Sequence, residues 1–371
     1  RMPDQAPAPK RPQSGRHAIV VGGGLAGCST AFALAESGWQ VSLLDRAARL
    51  ASQASGNPQG ILHFRPVKQL APDNHFNLFA FLFATRFYRS LQESHGLDWH
   101  QCGLLQLANT PKLLERFEGI MLQGQYPAEL MQLLTARQAS EQAGVNLLHP
   151  ALFFPDSGWL SPPVLCDLYA SHPAISVQYN TEVTSVSPLA SGWQVGGHMA
   201  GNVCQLEADI VVLANSADAW LFSQLHHLPL ISNRGQVDVY ADSGLQTRTV
   251  ICGQSYLVPA EAGIQSIGGS YFLGDHSASA GDARRRWHLE QLQDLSAEAA
   301  VSLRPDLLRL QRNGSRSITP DRLPLVGQAL PELSGLYLNL AHGSHGLTRT
   351  PICASWLASE INGTPAPWIP A

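Results

Sequence analysis

The stretch HAIVVGGGLAGCSTAFALAESGWQVSLLD, His17 to Asp45, decides the fold. Its first residues, HAIVVG from His17 to Gly22, are a short apolar run ending at glycines, the pattern of a buried parallel strand. The Ala-rich run from Leu25 to Ser37 predicts a helix closed by Gly38, and Trp39 to Asp45 predicts a second buried strand. Between strand and helix stand Gly22, Gly24 and Gly27 in Gly-x-Gly-x-x-Gly spacing, and an acidic residue, Asp45, ends the next strand. In that β-α-β context the motif reads as a dinucleotide-binding turn. The glycines let a pyrophosphate approach backbone N–H groups at the helix N-terminus, around Leu25 and Ala26. Asp45, followed by Arg46, is suited to accept from both hydroxyls of a ribose, and its charge argues against a 2′-phosphate.

Outward from this unit, the 371 residues suffice for one or two domains with a large core. Hydrophobic residues make up 44% and charged residues 14%, and the formal net charge is −4. No overall positive field draws in nucleic acid, so a local patch such as Arg284, Arg285 and Arg286 would have to do so. The six cysteines have no Cys-x-x-Cys spacing, which argues against a disulfide framework or a zinc site and for a reducing, cytoplasmic location. There is no signal-peptide pattern and no membrane-length apolar run. Residues 1–15, rich in Pro, Ala and Gln, read as a linker or tail.

Further along, 51–72 reads as loop and 74–95 as a helix covered on both sides. Helices are expected at 111–122 and 135–143, and a hairpin-like alternation over 175–195. EADIVVLANSADAW, Glu207 to Trp220, reads as another buried strand opening into a small-residue turn. A β-rich block at 230–273 and one long helix near 283–303 follow. This order predicts two interleaved domains.

The loop ASQASGNPQG, Ala51 to Gly60, offers Ser55, Gly56, Asn57, Gln59 and Gly60 to a polar ligand running out from the pyrophosphate. EVTSV, with Val183, and DIVVLANSADA, with Ala214 and Asn215, resemble the elements by which flavoproteins clasp an adenine. No second Gly-x-Gly-x-x-Gly appears, so FAD is expected rather than a separate NAD domain, bound non-covalently.

Together with AFLFATRFY, SGWLSPPVL, NRGQV, SYLVP, PDRLPLVG and GSHGLTRTP, these segments identify a resemblance spanning nearly all of 16–361. The chain resembles the glycine-oxidase and D-amino-acid-oxidase group of FAD-dependent amine oxidoreductases. Within it, the likeness is to the FAD-dependent C-terminal module of bifunctional enzymes that build 5-methylaminomethyl-2-thiouridine at the tRNA wobble position. The resemblance implies an α/β protein, a Rossmann-like FAD-binding domain interleaved with an antiparallel-sheet α+β substrate domain. The FAD-binding domain is expected at 16–95, 155–229 and 306–363, and the substrate domain at 96–154 and 230–305. It also implies tRNA as substrate and a linked N-terminal methyltransferase domain, joined where 1–15 lie.

The implied reaction oxidises the secondary amine of a carboxymethylaminomethyl group, and hydrolysis then leaves aminomethyluridine and glyoxylate. Positioning matters more than a strong base for such a transfer, and a substrate carboxylate calls for the planar fork of an arginine. By resemblance that arginine is Arg316, five residues before Asp321, with Tyr256 helping and Arg234 and Gln236 lining the site. Two departures fall near the flavin. ILHFRPVKQL puts His63, Phe64 and Arg65 after the polar loop, and GSHGLT puts His345 where relatives have arginine. Alternatives are a free glycine or sarcosine oxidase, and a flavin-binding subunit without its own catalysis.

His342 and His345 form a His-x-x-His pair with no further ligand cluster behind it, so no metal is expected. By resemblance, Gly343, Ser344, Gly346, Leu347 and Thr348 wrap the flavin's pyrimidine end, with Thr350 and Pro351 expected to open the terminal helix. Protonation of His345 is expected to make flavin reduction pH-sensitive.

Overall fold

The computed structural model describes residues 16–69, 72–269, 272–273 and 281–367, so the linker expected at 1–15 lies outside the described residues. A six-stranded sheet forms around the strand His17–Val21, which pairs in parallel with Gln40–Leu44 on one side and Ile210–Leu213 on the other. Ile175–Gln178 and Leu336–Leu340 extend it in parallel, and Leu325–Gln328 closes one edge antiparallel. Successive side chains alternate between faces. Ala18 and Val20 therefore join the core shared with Phe81, Tyr88 and Leu165, while Ile19 and Val21 join Val186, Trp193 and Leu338 on the opposite face.

The helix Leu25–Glu36 buries Cys28, Ala31 and Ala35, small residues that admit close helix neighbours. The C-terminal helix Gly346–Asn362 and the helix Pro162–Ala170 both pack against it. Asn339 crosses from sheet to helix, donating to Thr30 Oγ1 at 2.8 Å. At the far end, Asn362 Oδ1 accepts from Trp39 Nε1 (3.0 Å) and Arg16 Nη1 (3.1 Å), so the start and finish of this unit are laced together.

A nine-stranded mixed sheet carries the second layer. The long strand Ile231–Ala241 pairs antiparallel with Leu308–Ile318 along its length, and also with Ile264–Gly268 and Phe272–Leu273. Leu292, Leu295 and Ala299 pack on this sheet with Ile251, Leu257 and Ile267. Among the described residues no helix is long and apolar enough to cross a membrane.

Several local expectations are corrected. The stretch 51–72 holds a short turn of helix, Ala54–Gly56, and a strand, Gly60–Leu62, paired with Gly158–Leu160. Ile175–Gln178 lies in the parallel sheet, and the hairpin is Thr181–Pro188 with Trp193–Met199; Asn180, at φ 52°, turns the chain between them. The single helix near 283–303 is two, Asp282–Gln293 and Ala297–Ser302, because the Ser296 hydroxyl accepts from Ala299 N–H and starts a new helix. The helix Pro72–His95 is covered all round over 75–85, where no residue is exposed, and only its later part leaves Arg86, Arg89, Ser90 and Glu93 in water.

The terminal helix begins at Gly346, with His345 at the N-cap, and Pro351 lies inside it. Proline has no N–H to bond the carbonyl four residues back, which is that of Leu347. The buried Tyr88 hydroxyl donates to that oxygen instead, at 2.7 Å. With the carbonyl satisfied, the helix runs through the proline.

Candidate active site

The strand His17–Val21 ends at Gly22, whose φ of +110° excludes most side chains. A Cβ on Gly27 would stand 1.8 Å from the Gly22 carbonyl oxygen, so the turn closes only with glycine there. Asp45 is pinned by two backbone donors, Gly23 N–H to Oδ2 (2.6 Å) and Ala47 N–H to Oδ1 (2.7 Å). A carboxylate has about four lone-pair sites, which leaves capacity for ribose hydroxyls. Arg46 forms a half-exposed ion pair with Asp218 at 3.0 Å.

The polar loop is fastened on both flanks. Ser55 Oγ accepts from Leu25 N–H at 3.0 Å, joining the loop to the helix N-terminus. From the strand Leu308–Ile318, Arg312 donates to Asn57 Oδ1 (2.6 Å) and to the carbonyls of Gln53 (2.7 Å) and Ser52 (3.3 Å). Burial, then the charges of Arg49 and Arg316, lowers the pKa of Arg312. Gln59 is fully buried, with Nε2 on the Pro259 carbonyl and Oε1 on Ser266 N–H, both at 2.9 Å. Its amide holds the loop to the nine-stranded sheet.

These parts open on one cavity of about 660 Å³, within the ~300–1,000 Å³ typical of ligand pockets. Gly22, Gly24, Leu25 and Ala26 line it, with Gly27 behind them, and Asp45 and Arg46 follow. From the loop come Ser55, Asn57 and Gly60, whereas Gly56 and Gln59 are not on the lining. Val183, Ala214 and Asn215 form another wall. Gly343, Ser344, Gly346 and Leu347 supply the far end. Thr348 lies behind, its hydroxyl on the His63 carbonyl at 2.9 Å. Arg316, Tyr256, His345 and His63 also face the cavity.

Arg234 and Gln236 are not among the described lining residues. Gln236 is buried, with its amide on Asp238 and Gly281. Gln106, Gln254, Arg65 and Trp287 line the cavity too. Nothing local in the sequence marks Gln106 or Trp287, because they reach it through sheet pairing and helix packing.

The glycine turn is only partly open at its backbone. Gly343 N–H bonds the Ser317 carbonyl and His345 N–H the His342 carbonyl, each at 3.0 Å. Gly346 and Leu347 open the helix, where the first N–H groups have no intrahelical acceptor. The turn's two histidines, the nearby His63 and Arg349 of the terminal helix differ in charge. Burial, then the Arg349 charge, lowers His342 to about 3, and burial with Arg65 lowers His63 to about 4. His345 is pushed well below 6.5 by burial first, then Arg349, His63, Arg65 and Arg316. Its ring lies 5.9 Å from that of His63. All three shifts favour the neutral imidazole, and the burial of His345 opposes the protonation expected of it. Arg349, buried and bonded to Asn77 and the Arg322 carbonyl, falls only to about 10 and stays charged. Among the described residues no group of three or more His, Cys, Asp or Glu could hold a metal ion.

The residues fit FAD. The glycine turn and pinned carboxylate suit an adenosine diphosphate moiety. Three buried polar atoms on the cavity wall, Asn215 Oδ1, His342 Nδ1 and Thr350 Oγ1, have no hydrogen-bond partner among the described residues. Buried polar atoms are rarely left so, and a polar ligand would meet them.

Comparison with known proteins agrees. The family profile for FAD dependent oxidoreductases matches residues 17–360. The tRNA 5-methylaminomethyl-2-thiouridine biosynthesis bifunctional protein MnmC of Pseudomonas fluorescens is 35% identical, over 98% of this chain and 60% of that protein. The protein of the same name from Methylobacillus flagellatus is 36% identical, over 94% and 57%. The chain thus spans 57–60% of the length of these two curated relatives. The crystal structure of glycine oxidase from Geobacillus kaustophilus superposes with a TM-score of 0.81 at 21% identity, covering 94% of this chain and 96% of that one.

Proposed function

Because the chain belongs to the family of FAD-dependent oxidoreductases, with FAD as its cofactor, we propose that it oxidises the secondary amine of 5-carboxymethylaminomethyl-(2-thio)uridine in tRNA. The products are 5-aminomethyl-(2-thio)uridine and glyoxylate. The observation that carries this reading is the meeting, in one cavity, of the dinucleotide turn with Arg316 and Tyr256. The printed name of the MnmC relatives supports the tRNA substrate.

In this reading Arg316 holds the substrate carboxylate through its guanidinium fork and Tyr256 steadies it. Neutral His63 and His345 leave the arginines as the cations facing that carboxylate. Bound FAD supplies the two-electron acceptor. The CH₂ between nitrogen and carboxylate gives up a hydride, the N–H proton goes to solvent, and a C=N bond forms. Water adds to that carbon, and cleavage of its C–N bond releases glyoxylate and leaves the primary amine on the uridine. The geometry asks for positioning rather than a strong base, because the amine must be neutral to donate its lone pair.

The relatives' bifunctional name and greater length support a linked domain acting on the amine product; methylation is the reaction that would complete the named nucleoside. The test is glyoxylate release from tRNA carrying carboxymethylaminomethyluridine, set against free glycine. Turnover of the tRNA with little from glycine is expected. Turnover of glycine alone would overturn the reading in favour of a free amino-acid oxidase. Absence of flavin bleaching with either, under anaerobic conditions, would leave only a flavin-binding role.

A further inference from the structure

The helix Asp282–Gln293 has one side locked into the sheet and another on the cavity. His288 is fully buried, with Nδ1 2.6 Å from Asp238 Oδ2 on the long strand Ile231–Ala241. Asp238 Oδ1 also accepts from Gln236 (2.7 Å) and Gln311 (3.2 Å). Gln236 in turn accepts the N–H of Gly281, the helix N-cap, at 3.0 Å, and donates to its carbonyl at 3.3 Å. Two alternate residues of one strand therefore fix the N-cap and the second turn of this helix.

Trp287, the neighbour of His288, lines the same cavity as Arg316 and Tyr256. Arg284 stands three residues earlier and so on the same side of the helix, and Arg286 is exposed. Free glycine or sarcosine has no flat face to lay on an indole, being small and polar. A nucleobase does, because its flat face stacks on aromatic rings, and loop RNA is recognised by bases splayed out onto such rings. The exposed guanidinium of Arg286 on the same helix suits a neighbouring phosphate.

We propose that Trp287 is the stacking platform for the wobble base, presented by a helix whose attitude is set by the His288–Asp238–Gln236 cluster, and that it sets the preference for nucleoside over free amino acid. The inference rests on the tRNA reading above.

The test uses FAD-loaded protein and a fluorescein-labelled anticodon stem-loop bearing carboxymethylaminomethyluridine, with binding followed by anisotropy. Trp287→Ala weakens binding roughly ten- to a hundred-fold, and Trp287→Phe stays near wild type, as expected for loss and retention of one base–aromatic stack. A stem-loop abasic at the wobble position binds wild type and Trp287→Ala alike, and the visible flavin spectrum is unchanged in both variants. In turnover, Trp287→Ala raises KM for the tRNA by a similar factor while kcat holds within about three-fold. Unweakened binding by Trp287→Ala, or a loss that persists with the abasic stem-loop, overturns the proposal while the tRNA reading stands. Failure of the wild type to bind the modified stem-loop overturns both.

Discussion

The Tyr88 hydroxyl sits 2.7 Å from the Leu347 carbonyl oxygen, the one acceptor in the terminal helix that Pro351 leaves without a backbone donor. The pair spans 259 residues of sequence. It joins the helix Pro72–His95 to the turn that ends the cavity.

Tyr88→Phe strands a buried carbonyl and is expected to cost about 1–3 kcal/mol. Pro351→Ala restores an N–H at the right place, so the double variant Tyr88→Phe/Pro351→Ala recovers part of that loss. Urea unfolding of the four proteins, read as a double-mutant cycle, checks the coupling. Additive losses would show the tyrosine acting by packing alone.

Arg312 ties the polar loop to the sheet through Asn57 and two carbonyls. Hydrogen bonds to charged groups contribute about 1.5–3 kcal/mol, so Arg312→Ala should weaken FAD binding at least ten-fold. Titration of apoprotein with FAD measures this. Unchanged FAD affinity would show that the loop holds its shape without the arginine.

Arg316→Ala should lower kcat/KM for the carboxylate-bearing substrate by roughly 10- to 100-fold, from the loss of a charged hydrogen-bonding fork. Arg316→Lys keeps the charge but loses the bidentate geometry and should recover only part. FAD binding stays unchanged in both. Equal losses of flavin and activity would move Arg316 from substrate to cofactor.

His342 carries a pH signature. Its folded pKa, about 3, lies below the unfolded value of 6.5, so below about pH 6.5 the unfolded chain binds the extra proton. Stability is full above that pH and falls as pH drops toward the folded value, with a slope approaching ~1.4 kcal/mol per unit. Urea unfolding of apoprotein at pH 8, 6 and 5 should show the decline, and His342→Gln should remove its own share of it, leaving the share of the likewise depressed His63 and His345. His345 is depressed as well, so His345→Gln leaves the pH dependence of flavin reduction between pH 6 and 9 as in wild type.

What the sequence disclosed was what lies close together in it. The turn at Gly22 to Gly27 and the carboxylate of Asp45 are legible because strand, glycines and helix are consecutive. The polar loop around Ser55 and Asn57 is legible by composition. Thr350 and Pro351 look like a helix start, and only Tyr88, far away in sequence, explains why the helix runs through them. Thr350 does not cap: its hydroxyl is buried on the cavity wall without a partner among the described residues. Arg312, Gln106 and Trp287 carry no local mark, since strand register and helix packing bring them to the cavity. Gln236 misled for the opposite reason. Its neighbourhood resembles a site, yet its amide is spent on Asp238 and the start of the next helix.

The lacing of Asn362 to Arg16 and Trp39 has a consequence for biosynthesis. The dinucleotide turn leaves the ribosome before the cavity's far wall, Gly343 to Leu347, which follows, with the helix that braces it, more than 300 residues later. At about 5–20 residues per second, the growing chain spends tens of seconds with half a flavin site and an uncovered face on the helix Leu25–Glu36. Cofactor capture is therefore expected to wait until the helix Gly346–Asn362 has emerged and packed.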